Sequence, residues 1–177
     1  MYKVMGGLAL LWKNEGGVMV KNNCSNFIDF EVVNEIIGRW RYTGYYGFPE
    51  IERRVDSWQM IRDLAGASSL PWCIIGDFND LMSMTEKEGG RVHPHALLDG
   101  FSETVGDCGL VDLGFKGDKY TWERGRGTDR WIQERLDRGL ATKEWSDMFP
   151  RAEVKVLEVS TSDHLPLYLK LNQQVYV

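Results

Sequence analysis

The sequence is short of the residues that staple or divide a small fold. Its three cysteines, Cys24, Cys73 and Cys108, are odd in number, far apart and without CxxC spacing. That argues against a disulfide framework or a zinc knuckle, and it fits a reducing compartment. Five prolines in 177 residues make no proline-rich linker, and there is no fixed-period repeat or low-complexity tract. One domain over residues 1–177 is therefore expected. Long apolar runs are missing too. The longest near the start, Gly6 to Trp12, is too short to span a membrane and lacks a signal-peptide cleavage site. The expectation is an intracellular protein, nuclear or cytoplasmic, with no membrane contact. Positive charge is not in excess, since 21 Lys and Arg stand against 26 Asp and Glu, a net −5. Coating of nucleic acid by bulk electrostatics is disfavoured, although a local basic patch is not.

What is present suits an ordinary globular chain, with 43% hydrophobic and 12% aromatic residues. A chain of this length can bury roughly 70% of its unfolded surface, so it needs no staple. Residues 6–12, 17–22, 26–33 and 38–46 are rich in β-branched and aromatic side chains and are separated by Asn/Gly turns, which predicts a meander. From Pro49 to Ala65 the period changes. Ile51, Val55, Trp58, Ile61 and Leu64 recur at helical spacing. Trp72 to Ile75 is a continuous apolar run, as in a strand buried on both faces. Residues 80–93 read as a loop, Pro94 to Cys108 as a helix and Lys143 to Met148 as a short one. Strand-like pieces fall near 111–115, 119–122, 131–137, 152–159 and 165–171. The pattern predicts an α/β architecture of two packed, mainly antiparallel sheets flanked by helices.

Three polar segments at the ends of apolar strands attract attention, because a rigid scaffold positions such loops. Gly76-Asp77-Phe78-Asn79 follows the apolar run, with an acid and an amide two residues apart, as one pocket would need. Arg135-Leu136-Asp137 and Ser162-Asp163-His164 are the others. Taken singly each has a plain alternative: an Asp/Asn turn, a surface ion pair, a solvated loop. In this order, with Thr121-Trp122 between the first two, they resemble the endonuclease/exonuclease/phosphatase superfamily. With GGLALLWK (6–13), TGYYGFPE (43–50), LPW (70–72), EKEGG (86–90), CGLVDLGF (108–115) and ERLDR (134–138), the chain looks like the endonuclease domain of plant LINE-type retrotransposons from about Gly6 to Leu171.

The resemblance implies a DNase I-like sandwich and hydrolysis of a DNA phosphodiester with Mg2+, or Mn2+ in its place. Asp77 would orient or deprotonate the attacking water, and Asn79 would position that water or a phosphate oxygen. His164 would donate to the transition state, with Asp137 holding its tautomer. Asp163 and Asp77 would face the metal. Tyr46, with Tyr45 as fallback, would contact the phosphate alongside Asn79 and His164, and Trp122 would brace the site or simply be a core aromatic. The family pattern also places two elements before Gly6: a strand ending in an asparagine, and a strand ending in a Glu-Thr-Lys-type motif whose glutamate is the main metal ligand. Met1 to Met5 cannot supply them, and Glu15 and Glu50 are tied to turns elsewhere. A domain incomplete at its N-terminus is therefore expected, weak or inactive because the main glutamate is absent.

Three functions compete. The first is the DNA endonuclease, for which Lys116 to Arg138 offers seven basic and five acidic residues among aromatics, a composition that a solvated hairpin would share. The second is a non-catalytic retroelement remnant or binding module on the same scaffold. A hydrolase of phosphoinositides or other small phosphoesters is the third, disfavoured by the lack of a membrane-facing basic cluster. Under the first two, the side chains of Asp77, Asn79, Asp137 and His164 are expected to meet in one cleft.

Overall fold

The computed structural model describes residues 2–5, 8–13, 17–158 and 162–172. Gly6 and Gly7 of the first expected strand, Glu15, and Val159 lie outside the described residues. The chain opens with an antiparallel pair, β1 (Tyr2–Met5) and β2 (Leu8–Leu11); a strand over Tyr2–Met5 was not expected. The meander follows as β3 (Val18–Asn23), β4 (Phe27–Asn34) and β5 (Gly38–Tyr46). Its second turn is built by Asn34, whose side-chain oxygen accepts from the backbone N–H groups of Ile36 and Ile37, and by Gly38 at φ +101°. Asparagine and glycine suit such a turn because one bonds its own backbone and the other tolerates positive φ.

The chain then crosses over through helix α1 (Arg54–Gly66) and returns as β6 (Trp72–Asp77), parallel to β5. The remaining elements are β7 (Lys87–Glu88), α2 (His95–Asp107), β8 (Leu110–Asp112), β9 (Trp122–Arg124), β10 (Ile132–Glu134), β11 (Asp137–Thr142), α3 (Lys143–Met148), β12 (Glu153–Val156) and β13 (Leu167–Lys170). The main sheet runs β3-β4-β5-β6-β11-β8, and β7-β10-β9 form a small three-stranded sheet. All pairs in these sheets except β5 with β6 are antiparallel. β2 lies against β4 and β5, and the ribbon β12-β13 lies over β11 through β13. The second layer thus consists of two separate ribbons among the described residues.

Alternation along β6 separates two cores. Trp72 and Ile74 point to one face with Tyr45, Ile61, Leu64, Phe78, Phe101 and Leu140, beneath α1 and α2. Cys73 points to the other face with Trp40, Ala141, Trp145 and Phe149, and Leu169 of β13 packs against them. The apolar run at 72–75 is therefore an interior strand covered on both sides, the reason it shows no polar alternation. All three cysteines are free thiols. Among the described residues no helix is long and apolar enough to cross a membrane.

Other elements also differ from the pattern reading, and the stretch 80–93, expected as a loop, contains the short strand β7 paired with β10. In α1 the buried stripe is Arg54, Ser57, Ile61 and Leu64, whereas Ile51 and Val55 are exposed. The stripe is rotated because polar groups in it are bonded: Ser57 accepts from the Phe48 N–H through Oγ and from the Tyr45 hydroxyl through its carbonyl. Arg135-Leu136-Asp137 does not end the strand that begins near Trp131. It joins β10 to β11, a further strand beside β6. Residues 137–142 hide this because Arg138 is 1% exposed yet charged, its guanidinium held by buried carboxylates.

Gly76 lies where β6 approaches β5. Its φ is +146°, and a Cβ there would sit 2.0 Å from the Tyr45 carbonyl oxygen. Gly76→Ala is expected to cost about 3 kcal/mol or more, through strain and displaced backbone, read as a lowered urea midpoint at unchanged slope.

Candidate active site

Three neighbouring strand ends build the site. Tyr46 is the partner of Asp77 across β5 and β6, and Asp77 is the partner of Asp137 across β6 and β11. Below this row the backbone is locked by the Gly47 N–H on the Asp77 carbonyl and the Phe78 N–H on the Leu136 carbonyl, 2.7 and 2.9 Å. Gly47 is required there, because a Cβ would lie 2.4 Å from the Phe78 carbonyl oxygen. The segment carrying His164 is strapped on from above. The Glu123 N–H donates to the Asp163 carbonyl and the Leu165 N–H to the Thr121 carbonyl, 3.0 and 2.7 Å.

The expected convergence is observed. His164 Nδ1 lies 2.9 Å from Asp137 Oδ2, and His164 Nε2 lies 3.9 Å from Asp77 Oδ2. A carboxylate can only accept, so Nδ1 carries the proton and Nε2 faces Asp77. Asn79 stands at φ +54°, the single non-glycine residue at positive φ among the described residues. This folds it back onto Asp77: its N–H donates to Oδ1 at 2.8 Å and its Nδ2 to Oδ2 at 3.0 Å. A second bond from Nδ2 goes to the Gly47 carbonyl. The two bonds to Asp77 orient its carboxylate, and the bond to Gly47 fixes the amide that makes one of them.

Burial, the neighbouring Asp137 charge and only partial relief from Asn79 and His164 push Asp77 up to about 6. Two carboxylates facing each other at paired strand ends repel. The hydrogen bond to Asp137 in turn raises His164 above its ordinary value. Asp77, Asp137 and His164 offer ligand atoms that all lie within 4.8 Å of one another, the one such group of metal-binding side chains among the described residues.

The other expected residues are placed as follows. Tyr46 is exposed, and burial together with the charge of Asp77 raises its phenol. The fallback, Tyr45, is corrected: it is 2% exposed and its hydroxyl donates to the Ser57 carbonyl beneath α1, because alternation along β5 turns it into the core. Asp163 is not in the group of three. Its Oδ2 accepts from Trp122 Nε1 at 3.1 Å, a bond that lowers its pKa. Trp122 therefore braces the segment of Asp163 and His164, and its ring centroid lies 6.5 Å from that of His164. Pattern reading gave no role to Thr121. It is 1% exposed, and its Oγ1 accepts from the N–H groups of both Leu136 and Asp137, 3.0 and 2.9 Å. The only signal was its place in the Thr-Trp pair.

The fold is mainly antiparallel, with α1 and α2 on one face of the main sheet and α3 on the other, and it brings an Asp/Asn pair to an Asp-His pair at adjacent strand ends. Residues 1–164 match the model of the "Endonuclease/Exonuclease/phosphatase family", and the chain belongs to that family. Among solved structures it is similar to the endonuclease domain of TRAS1, a telomere-specific non-LTR retrotransposon, at TM-score 0.68 and 21% identity over 89% of this chain and 69% of that one. It is also similar to an endonuclease/exonuclease/phosphatase from Beutenbergia cavernae, at TM-score 0.50 and 18% identity over 82% of this chain and 39% of that one. The chain thus spans about two thirds of the first structure and well under half of the second. These likenesses show the DNase I-like fold. No curated protein sequence matches the chain.

Two outcomes follow. The folded pKa of Asp77 lies above its unfolded value near 3.8, so the native state binds the extra proton between those values. In metal-free buffer its contribution to stability should therefore be lost as pH rises from about 4 to about 6, about 3 kcal/mol in all, and the loss should be missing from an Asp77→Asn variant followed by urea denaturation. Thr121→Val leaves two backbone N–H groups without their acceptor. It should cost about 1–3 kcal/mol, most of it recovered in Thr121→Ser, by the same measurement.

Proposed function

We propose that the chain is a divalent-metal-dependent phosphodiester hydrolase acting on DNA, an endonuclease of the retrotransposon type. The observation that carries this reading is the meeting of Asp77, Asn79, Asp137 and His164 at one strand-end row, with exposed Tyr46 beside it. Asp77 is the base or water-orienting group, and a carboxylate raised to about 6 by its surroundings suits proton transfer near neutrality. Asn79 and the Gly47 carbonyl fix its direction. Asp137 holds the His164 ring through Nδ1–H and raises its proton affinity, so that the ring takes up a second proton on Nε2 and the imidazolium donates it to the developing charge on the phosphate. Tyr46 contacts a phosphate oxygen. The TRAS1 domain with the same fold is the endonuclease of a retrotransposon, which supports DNA as the substrate class here.

The donor set fits a hard cation. Asp77 is a buried carboxylate raised by a like charge, the condition a bound cation relieves, and Mg2+ needs only one or two carboxylates beside its waters. Asp77, with Asp137 and His164 offering the neighbouring ligand atoms, would hold Mg2+, or Mn2+, which would supply positive charge against the phosphate oxygens, and Asp163, the other carboxylate expected at the metal, stands outside this group on Trp122.

A second reading is favoured by one observation: the carboxylates are already engaged. Asp137 is committed to His164 and Asp163 to Trp122, and Asp77 takes two bonds from Asn79. A cation held so sparingly binds weakly, and the scaffold would then bind DNA with little or no cleavage.

Purified protein mixed with supercoiled plasmid and Mg2+ or Mn2+ is expected to nick it slowly, and both Asp77→Ala and His164→Ala should abolish the nicking while plasmid binding persists. Binding without any nicking in either metal would establish the second reading. Nicking that survives both substitutions would remove these residues from the reaction.

A further inference from the structure

Directly beneath the row of strand ends lies a buried four-charge box that the proposed chemistry does not use. Glu86 sits in the segment between β6 and β7, Asp112 ends β8, and Arg135 and Arg138 flank Asp137. Glu86 Oε1 accepts from Arg135 Nη1 at 2.9 Å and from Arg138 Nη1 at 3.1 Å, and its Oε2 accepts from Arg138 Nη2 at 2.8 Å and from the Met82 N–H at 2.7 Å. Asp112 takes the other side of both guanidinium groups, at 2.9 Å from Arg135 and 3.3 Å from Arg138. Arg138 Nη2 also reaches the carbonyls of Asp80 and Arg135. All four residues are largely withdrawn from water, and the side chain of Arg138 is 0% exposed.

The connections matter more than the charge count. Asp80 follows Asn79 directly, and Arg135 and Arg138 bracket Asp137, so one fully buried guanidinium touches both chain segments that bear the reacting carboxylates. Glu86 fixes that guanidinium with both oxygens and folds its own loop onto it through the Met82 N–H. The Arg135 N–H adds a backbone bond to the Glu86 carbonyl at 2.9 Å. Two cations against two anions leave the box without net charge. Buried ion pairs of this kind give little stability relative to a packed apolar substitute. A reason for retaining one here is geometry, since an error of about 1 Å in a reacting group costs on the order of a hundredfold in rate.

We propose that Glu86 is a positioning residue, which sets the separation of Asp77 and Asp137, and thereby the placement of His164, through Arg138 and Arg135. The consequence for turnover rests on the proposed hydrolase reading; the geometric consequence does not. Three readouts on the whole chain separate position from stability: melting temperature, plasmid nicking with kcat and KM resolved, and the NMR resonance of the His164 Nδ1 proton. Glu86→Gln leaves two buried cations facing one carboxylate. The double variant Glu86→Leu with Arg138→Met removes a cation and an anion together, keeps Arg135 paired with Asp112, and places apolar atoms near the Phe101 ring, over which Arg138 now lies at 5.5 Å.

The expected result is a double variant that melts close to the wild type, nicks about tenfold or more slowly at unchanged KM, and shows a displaced His164 proton resonance. A double variant in which nicking and the His164 resonance are both restored along with the melting temperature would overturn the proposal and leave the box a stability element. If the wild type does not nick, the hydrolase reading fails by itself, and the His164 resonance decides the positioning role: displaced in the double variant supports it, unmoved refutes it.

Discussion

Two acidic side chains, Asp77 and Asp137, are held opposite each other at the paired ends of β6 and β11, and much of the surrounding structure is arranged to tolerate this. Like charges at such a pair repel, and burial of one of them makes the repulsion worse. Asn79 answers it from one side by donating twice to Asp77, and His164 from the other by bonding Asp137. Even so Asp77 is left at about 6. The proposed hydrolase chemistry draws on this residual tension, since a carboxylate raised toward neutrality suits a base and a like-charge pair suits a nearby cation.

The strain is carried by backbone as well as charge. Asn79 occupies a left-handed conformation, and Gly76 and Gly47 sit where any side chain would meet a neighbouring carbonyl oxygen. These three positions let the end of β6 press against the chain leaving β5 and bring Tyr46 alongside Asp77. Thr121 performs the matching task on the other side by holding the N–H groups of Leu136 and Asp137. The pocket is thus set by short backbone contacts between adjacent strands, which a rigid sheet core with Cys73, Ile74 and Leu140 at 0% exposure keeps in place.

Much of the fold was legible in the sequence because its signals are local. The meander announced itself through β-branched runs and Asn/Gly turns, α2 through Leu97, Leu98, Phe101 and Val105 at helical spacing, of which all but Leu97 are buried, and β6 through an apolar run with no polar alternation. Where local signals failed, buried polar residues were responsible. Arg54 and Ser57 rotated the buried face of α1 away from Ile51 and Val55, and Arg138 disguised β11, since a charged residue in a strand reads as exposed unless its partners are known. Those partners, Glu86 and Asp112, lie 52 and 26 residues away in the chain. No periodicity can report a contact of that range.

The same division applies to the site. Each polar segment taken singly had a plain alternative, and it was their order along the chain, with the resemblance to the endonuclease/exonuclease/phosphatase superfamily that this order carries, that nominated Asp77, Asn79, Asp137, Asp163 and His164. Tertiary structure alone decided how they are used. Strand register placed Asp137 rather than Asp163 beside Asp77, the turn at Asn79 aimed its amide at the carboxylate, and side-chain alternation along β5 sent Tyr45 into the core and left Tyr46 outside. Composition and spacing fix which groups are available. Which of them touch depends on hydrogen-bond register between strands far apart in sequence, and that is determined only when the whole sheet packs.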